Sequence, residues 1–312
     1  MNKGLLYNFL RYSLPKASRA TLATKDLSKS GPETEIEEKE DTSGDDALNK
    51  LIGLSGVKSE VKTLTNMAAL QKQRKERGKK VVNSSLHLVF TGNPGTGKTT
   101  VARNLGKIFA EIGVLKKGHL IEADRAKLVG EYIGHTEKKV TSMFDKANEG
   151  VLFIDEAYSL ASAGGNDFGS IAIDTIIKLM EDRRDSVAVV VAGYTGPMKK
   201  FISLNPGLQS RFTRYINFED YSCDELVDIY NLMADDNQYD ISSEAFVKVK
   251  SVLAAHWETR DDHFGNGRDV RTFFERSIER QATRIVNSKC YNDLDSIIES
   301  DIPDKLIIKI KD

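Results

Sequence analysis

From Leu51 onward the chain alternates short apolar runs with stretches in which apolar residues recur every three or four positions. The runs fall at residues 86–90, 119–123, 151–154, 187–192 and 215–218. Apolar runs of strand length separated by helical stretches mark strands covered on both faces, so the pattern predicts an α/β fold, a five-stranded parallel sheet flanked by helices. After Tyr221 the strand pattern stops. Helix-period stretches at 224–233, 244–256 and 269–286 predict a small all-helical domain. No repeat of fixed period is present, which argues against a solenoid. Residues 306–310 alternate weakly, as a closing element of the helical domain or as a tail.

The start of the chain has a different texture. Residues 1–30 are rich in Lys, Arg, Ser and Thr, with Asp26 the sole acid, and Leu5, Leu6, Phe9, Leu10 and Leu14 can share one helical face. That pattern accommodates an organelle transit peptide or a membrane-touching helix; the expected reading is a flexible or partner-docking arm of a cytoplasmic protein. Residues 31–46 are acidic and polar and read as a disordered linker. The expected division is therefore a disordered basic, then acidic, arm over 1–47, an α/β domain over 48–221, and a helical domain with a tail over 222–312.

The chemistry concentrates between strand and helix. Gly92-Asn93-Pro94-Gly95-Thr96-Gly97-Lys98-Thr99 follows the 86–90 run and precedes a helical stretch that opens at Thr100. In such a turn the glycines let backbone N–H groups curl around phosphates, the lysine reaches the β- and γ-phosphates, and the threonine hydroxyl ligates Mg²⁺. ATP with Mg²⁺ is the expected ligand pair. Residues 151–154 are apolar and end in Asp155-Glu156, the Walker B pattern. There Asp155 orders the Mg²⁺ shell, and Glu156, one residue on, deprotonates the water that attacks the γ-phosphate. Hydrolysis is implied, and not binding alone.

Composition narrows the partners. The chain has 312 residues, 29% of them charged, and a formal net charge of −1, so no global field draws it to nucleic acid. The basic run at 71–80 reads as the solvated end of a helix. Cys223 and Cys290 lie far apart, outside any CxxC spacing, and His87, His119, His135, His256 and His263 form no HExxH or similar set. No apolar stretch approaches the roughly 20 residues that span a bilayer, so no transmembrane segment is expected.

Taken together, six ordered segments resemble the AAA+ ATPases, in the branch of stage V sporulation protein K and the red-type Rubisco activase CbbX. They are Leu51-Ile52-Gly53-Leu54, the loop 92–99, the segment 128–136, the segment 151–158, Ala192-Gly193-Tyr194, and the segment 205–211. The resemblance covers about residues 51–286. It implies a homo-oligomeric ring, a hexamer, with ATP between subunits and a central pore that pulls a protein substrate. Within the nucleotide site it places Gly53, Asn93, Pro94, Gly95, Thr96, Gly97, Lys98, Thr99, Thr100, Asp155 and Arg268, the last with Arg271 as fallback. Arg211 matches the arginine finger, with Arg214 nearby reading as a plain strand-edge residue. Tyr132, with Ile133, between Gly130 and Gly134, matches the gripping pore loop. The first sensor is left between Tyr194 and Thr195, and the loop 163–169 between a second pore loop and a connector. The function so implied is an ATP-hydrolysing, ring-forming remodeller. Its rivals are a nucleotide-dependent assembly switch with slow hydrolysis and, less favoured, a nucleic-acid motor. Activation of Rubisco stays an open subfamily possibility.

Overall fold

The computed structural model describes residues 43–81, 85–132, 134–161, 168–261 and 264–306. The order of elements is α1 (Gly44–Lys50), α2 (Ser55–Glu76), β1 (Leu88–Gly92), α3 (Lys98–Glu111), β2 (Leu120–Ala123), α4 (Arg125–Leu128), α5 (His135–Lys146) and β3 (Gly150–Ile154). A 3-10 turn (Ala157–Ala161) then leads to α6 (Gly169–Asp182), β4 (Val187–Gly193), α7 (Thr195–Ser203), α8 (Pro206–Arg211) and β5 (Arg214–Phe218). The helical part holds α9 (Cys223–Asp236), β6 (Asp240–Ile241), α10 (Ser243–Glu258), α11 (Gly267–Ser288) and β7 (Ser296–Ile297).

Among the described residues, five strands form one parallel sheet in the order β2-β3-β4-β1-β5. The apolar runs feed both of its faces, because successive strand side chains point opposite ways. Leu152 and Ile154 join a core with Phe144, Ile176 and Phe201, whereas Val151 and Phe153 join one with Leu64, Leu105 and Phe109. Strand β1 ends two residues later than the apolar run does. Thr91 and Gly92 continue its register against Asn217 and Phe218, and the Thr91 hydroxyl donates to Asn217 Oδ1 at 3.0 Å. A count of apolar residues does not see that polar extension. His87, just before β1, accepts from Val189 N through Nδ1 and so carries its proton on Nε2, toward Met180 O. Burial pushes it down to about 4, which keeps it a neutral pillar of the core.

Two details depart from the pattern-based expectations. The boundary expected between residues 47 and 48 falls inside α1. Ser43 caps that helix by accepting from Asp46 N, Gly44 N donates to Glu111 Oε1 at 2.6 Å, and Leu48 is buried in the core beside α3. A single buried leucine is too short a signal for periodicity to register. In the helical part, β6 and β7 form a two-residue parallel pair, with Ile297 in the core. Gln281 on α11 holds that segment by donating to Leu294 O and Ser296 O. Leu306 packs against the same core, while the remainder of the 306–310 run lies outside the described residues. No described helix is long and apolar enough to cross a membrane.

Candidate active site

The C-terminal ends of parallel strands leave a crevice where the chain turns away in opposite directions, and the cleft lies there. Its volume is about 480 Å³. Its lining has an apolar set, Leu51, Ile52 and Leu54 with Ile229, Leu232 and Met233 of α9. It also has a polar set, Lys98, Thr99, Asp155, Glu156, Tyr194 and Arg268, beside Pro94, Gly95, Gly97 and Thr100. A cleft lined by apolar side chains together with cations, a hydroxyl and carboxylates fits a ring with an attached polyphosphate.

The loop after β1 is built for anions. Gly97 stands at the N-cap of α3 in a left-handed conformation and has no side chain to occupy the first amide groups of the helix. Lys98 Nζ donates to Gly92 O at 2.9 Å and Asn93 O at 2.7 Å, which lays the ammonium across the mouth of the loop. Burial, reinforced by Arg268, outweighs Asp155 and Asp220 and lowers its pKa to about 8. Gly95, at φ +72°, passes so close to the helical part that a Cβ there would overlap the Gly265 carbonyl oxygen.

Three residues expected at the nucleotide stand behind the wall of the cleft. Thr96 is fully buried, and its hydroxyl donates to Asn93 O. Asn93 Nδ2 donates to the Asp220 carboxylate at 3.0 and 3.1 Å. Gly53, at φ +60°, lies against Glu225, where a Cβ would overlap the carboxylate; its part is to turn the chain so that Leu51, Ile52 and Leu54 reach the cleft. Lys58 holds that turn by donating to Leu51 O and Asn49 O.

Asp155 and Glu156 follow β3. Glu156 adopts φ +47°, an uncommon conformation for a residue with a side chain, and its N–H donates to Asp155 Oδ1 at 3.0 Å. Tyr158 is a neighbour that sequence reasoning passed over. Burial and then the Glu156 charge push its hydroxyl up to about 12, so it stays protonated and hydrogen-bonds Glu156. Its ring stands 6.3 Å from that of Tyr194, at the end of β4. The signal in the sequence was its place three residues after Asp155. The α9 side of the cleft was also missed, although Leu232 is 42% exposed and so falls outside the core-facing stripe of α9.

Arg211 is absent from the cleft. It lines a separate one of about 580 Å³, beside residues 85–87 that precede β1 and so toward the opposite end of the strands, with Lys72, Lys75, Glu181 and Arg184. Its guanidinium reaches Gly207 O at 3.3 Å and lies 3.7 Å from Glu181, and among the described residues its buried Nε has no hydrogen-bond partner. Arg214 Nη2 meets Met67 Sδ at the start of β5, in keeping with a strand-edge residue. Tyr132 is 65% exposed, with the His135 ring at its edge, 5.5 Å away. Ile133 and most of the 163–169 loop lie outside the described residues. Arg271 lines the cleft beside Arg268, and Thr195 opens α7 outside the lining.

Hard oxygen donors suit Mg²⁺, and Thr99 and Asp155 supply a hydroxyl and a carboxylate to the same cleft as the cations that suit phosphate. The donor set fits a magnesium–nucleotide complex.

Comparison with known proteins agrees with this architecture. Residues 88–220 match the family described as the ATPase family associated with various cellular activities (AAA), and residues 222–308 match an AAA lid domain. The chain is 47% identical over 258 residues to stage V sporulation protein K of Bacillus subtilis (strain 168), covering 82% of this chain and 80% of that protein. It is 41% identical over 242 residues to a chloroplastic ribulose bisphosphate carboxylase/oxygenase activase of Cyanidioschyzon merolae (strain NIES-3377 / 10D), covering 77% and 82%. The crystal structure of the FIGL-1 AAA domain in complex with ADP superposes with a TM-score of 0.57 over 81% of this chain and 80% of that one. At 18% identity that likeness speaks to the fold alone.

Proposed function

Since the chain belongs to the AAA ATPase family, in the branch of stage V sporulation protein K and the Rubisco activases, and is an ATP-hydrolysing enzyme, we propose that it is a ring-forming remodeller that turns hydrolysis into pulling on a protein substrate. The observation that carries the proposal is the separation of Arg211 from the cleft that holds Lys98, Asp155 and Glu156. An arginine finger on a different face completes a site only in a neighbouring copy, so the catalytic unit is a pair of subunits.

In this mechanism the nucleotide base enters the slot between Leu51, Ile52 and Leu54 and the apolar face of α9. The first amides of α3 receive the phosphates, and Lys98 leaves the Gly92 and Asn93 carbonyls to face them. Mg²⁺, when bound, supplies charge neutralisation at the β- and γ-phosphates, and Thr99 and Asp155 are the residues that hold it. Glu156 takes a proton from water as its oxygen attacks the γ-phosphorus. The bond to the bridging oxygen breaks, ADP leaves, and phosphate carries the attacking oxygen. Arg268 on the lid and Arg211 from the neighbouring copy offset the charge that spreads over the transferring group. Tyr194 faces the same phosphates from the end of β4, in the part of a first sensor. Tyr132, an exposed aromatic followed by Gly134 at the start of α5, grips the substrate and moves with the nucleotide state.

The activase relative is named for action on another enzyme, which supports a protein as the substrate class. The test is native mass measurement of the Glu156→Gln variant without nucleotide, with ADP and with ATP. An ATP-dependent hexamer is expected. A monomer in every state, well above cellular concentration, would overturn the shared site. In the same ring, Tyr132→Ala should keep basal hydrolysis and lose substrate-stimulated turnover; retained stimulation would remove Tyr132 from the gripping role.

A further inference from the structure

The hinge between the sheet and the helical lid carries a polar knot that neither the core nor the chemistry of hydrolysis requires. At its centre is Asn266, wholly buried, just before α11. Its Nδ2 donates to Asp220 Oδ1 at 2.7 Å, to Phe264 O at 3.2 Å and, more weakly, to Pro94 O at 3.4 Å. Its Oδ1 accepts from Tyr221 N at 2.9 Å. Asp220 in turn accepts from Asn93, inside the phosphate loop, and Gly267 N donates to Gly95 O at 3.1 Å. Tyr221, the hinge residue, sends its hydroxyl to Thr96 O and receives Trp257 Nε1 at its carbonyl. Asn266 makes these contacts from φ +50°, ψ −128°, a conformation that costs a residue with a side chain and is held only where its surroundings over-determine it.

Buried side chains with every donor and acceptor used specify one arrangement and not merely a compact one. The arrangement specified here is the position of the N-terminus of α11 over the phosphate loop, and Arg268 is the second residue of that helix. We infer that Asn266 is the positioning residue that couples the phosphate loop to the lid, with Asp220 as its anchor and Asn93 as the loop-side partner, so that Arg268 is set against the nucleotide. The inference rests on the reading of the cleft as the nucleotide site. Occupancy of the loop is thereby transmitted to the lid through side chains that touch no nucleotide themselves.

Asn266→Gly is the informative variant, because glycine accepts the backbone conformation and removes only the side chain. KM for ATP and affinity for a fluorescent ADP analogue would be measured, together with hydrogen–deuterium exchange over residues 264–271 with and without ADP. The expected result is a KM about tenfold higher, since a charge-assisted hydrogen bond and its satisfied neighbours are lost. The gain of protection over 264–271 on adding ADP should also vanish. A lower melting temperature with unchanged KM and intact ADP-dependent protection would mean a merely structural role and overturn the inference. Asn93→Ala acts on the half-buried end of the knot and serves if the glycine variant fails to fold; it should raise KM and weaken the same protection, and wild-type values would overturn the coupling. Combining the two should add little to the larger single effect, because both work through Asp220; additive losses would refute a shared tie. A wild-type chain whose Lys98→Ala variant binds ADP unchanged would instead remove the cleft from its nucleotide role, a failure distinct from that of the coupling.

Discussion

Lys98 yields the most quantitative expectation. Burial lowers its pKa from 10.5 to about 8, with Arg268 acting in the same direction. A phosphate within reach favours the charged ammonium and returns the pKa toward its ordinary value, so nucleotide binding above pH 8 must bring a proton with it. At pH 7 the free site is already mostly protonated, and binding takes up about 0.1 proton; at pH 9 it takes up about 0.9. Affinity accordingly falls by about tenfold per pH unit between 8 and 10, whereas the nucleotide's own phosphates stay fully ionised throughout. Folding carries a matching sign. The unfolded chain keeps this proton up to 10.5 and the folded loop releases it near 8, so the nucleotide-free fold gains up to about 1.4 kcal/mol per pH unit as pH rises between those values. The assay is calorimetric titration of ADP at pH 7, 8 and 9 in buffers of different ionisation enthalpy, with Lys98→Met as the control that has no proton to gain. Equal proton uptake at pH 7 and 9, or an affinity flat across that range, would refute the reasoning.

Other expectations concern the groups around it. Glu156→Gln should bind ATP as the wild type does and hydrolyse it about 10²- to 10⁴-fold more slowly, the usual contribution of a positioned base; ordinary turnover would show that another group takes the proton. Arg211→Ala loses weak bonds to Gly207 O and Ser210 Oγ and a half-exposed contact with Glu181, so its stability should fall by no more than about 2 kcal/mol, while hydrolysis falls by about 10³. Mixing it with Glu156→Gln should restore part of the activity, and the absence of rescue would argue against a finger acting between copies. Tyr158→Phe keeps the ring packed beside Gly193 and removes the hydroxyl bound to Glu156, so kcat should fall by about tenfold with KM unchanged. A change in KM alone would mean that Tyr158 serves the shape of the cleft and not the base.

The order of strands and helices, the phosphate loop and the paired carboxylates after β3 were all legible in the chain, because each depends on neighbours in sequence. A parallel strand buried on both faces is a continuous apolar run wherever it pairs, and the loop's glycines, Lys98 and Thr99 act through backbone and side chains of one turn. Likewise, the small helical part declared itself through the period of its apolar residues. The short elements did not: β6, β7 and α1 are short and owe their places to partners far along the chain, such as α3 for Leu48 or Gln281 for Ser296, which leaves too little for a local pattern to form. The site divides in the same way. Lys98, Asp155 and Arg268 could each be named beforehand, but that Asn93 turns away to Asp220, that Tyr158 holds Glu156, and that Arg211 sits outside the cleft were decided only by the packing of segments distant in sequence. Local spacing determines which groups a turn can present. Which of them face the same space, and which are spent on holding the lid to the loop, depends on long-range hydrogen bonds that form only when the tertiary structure closes.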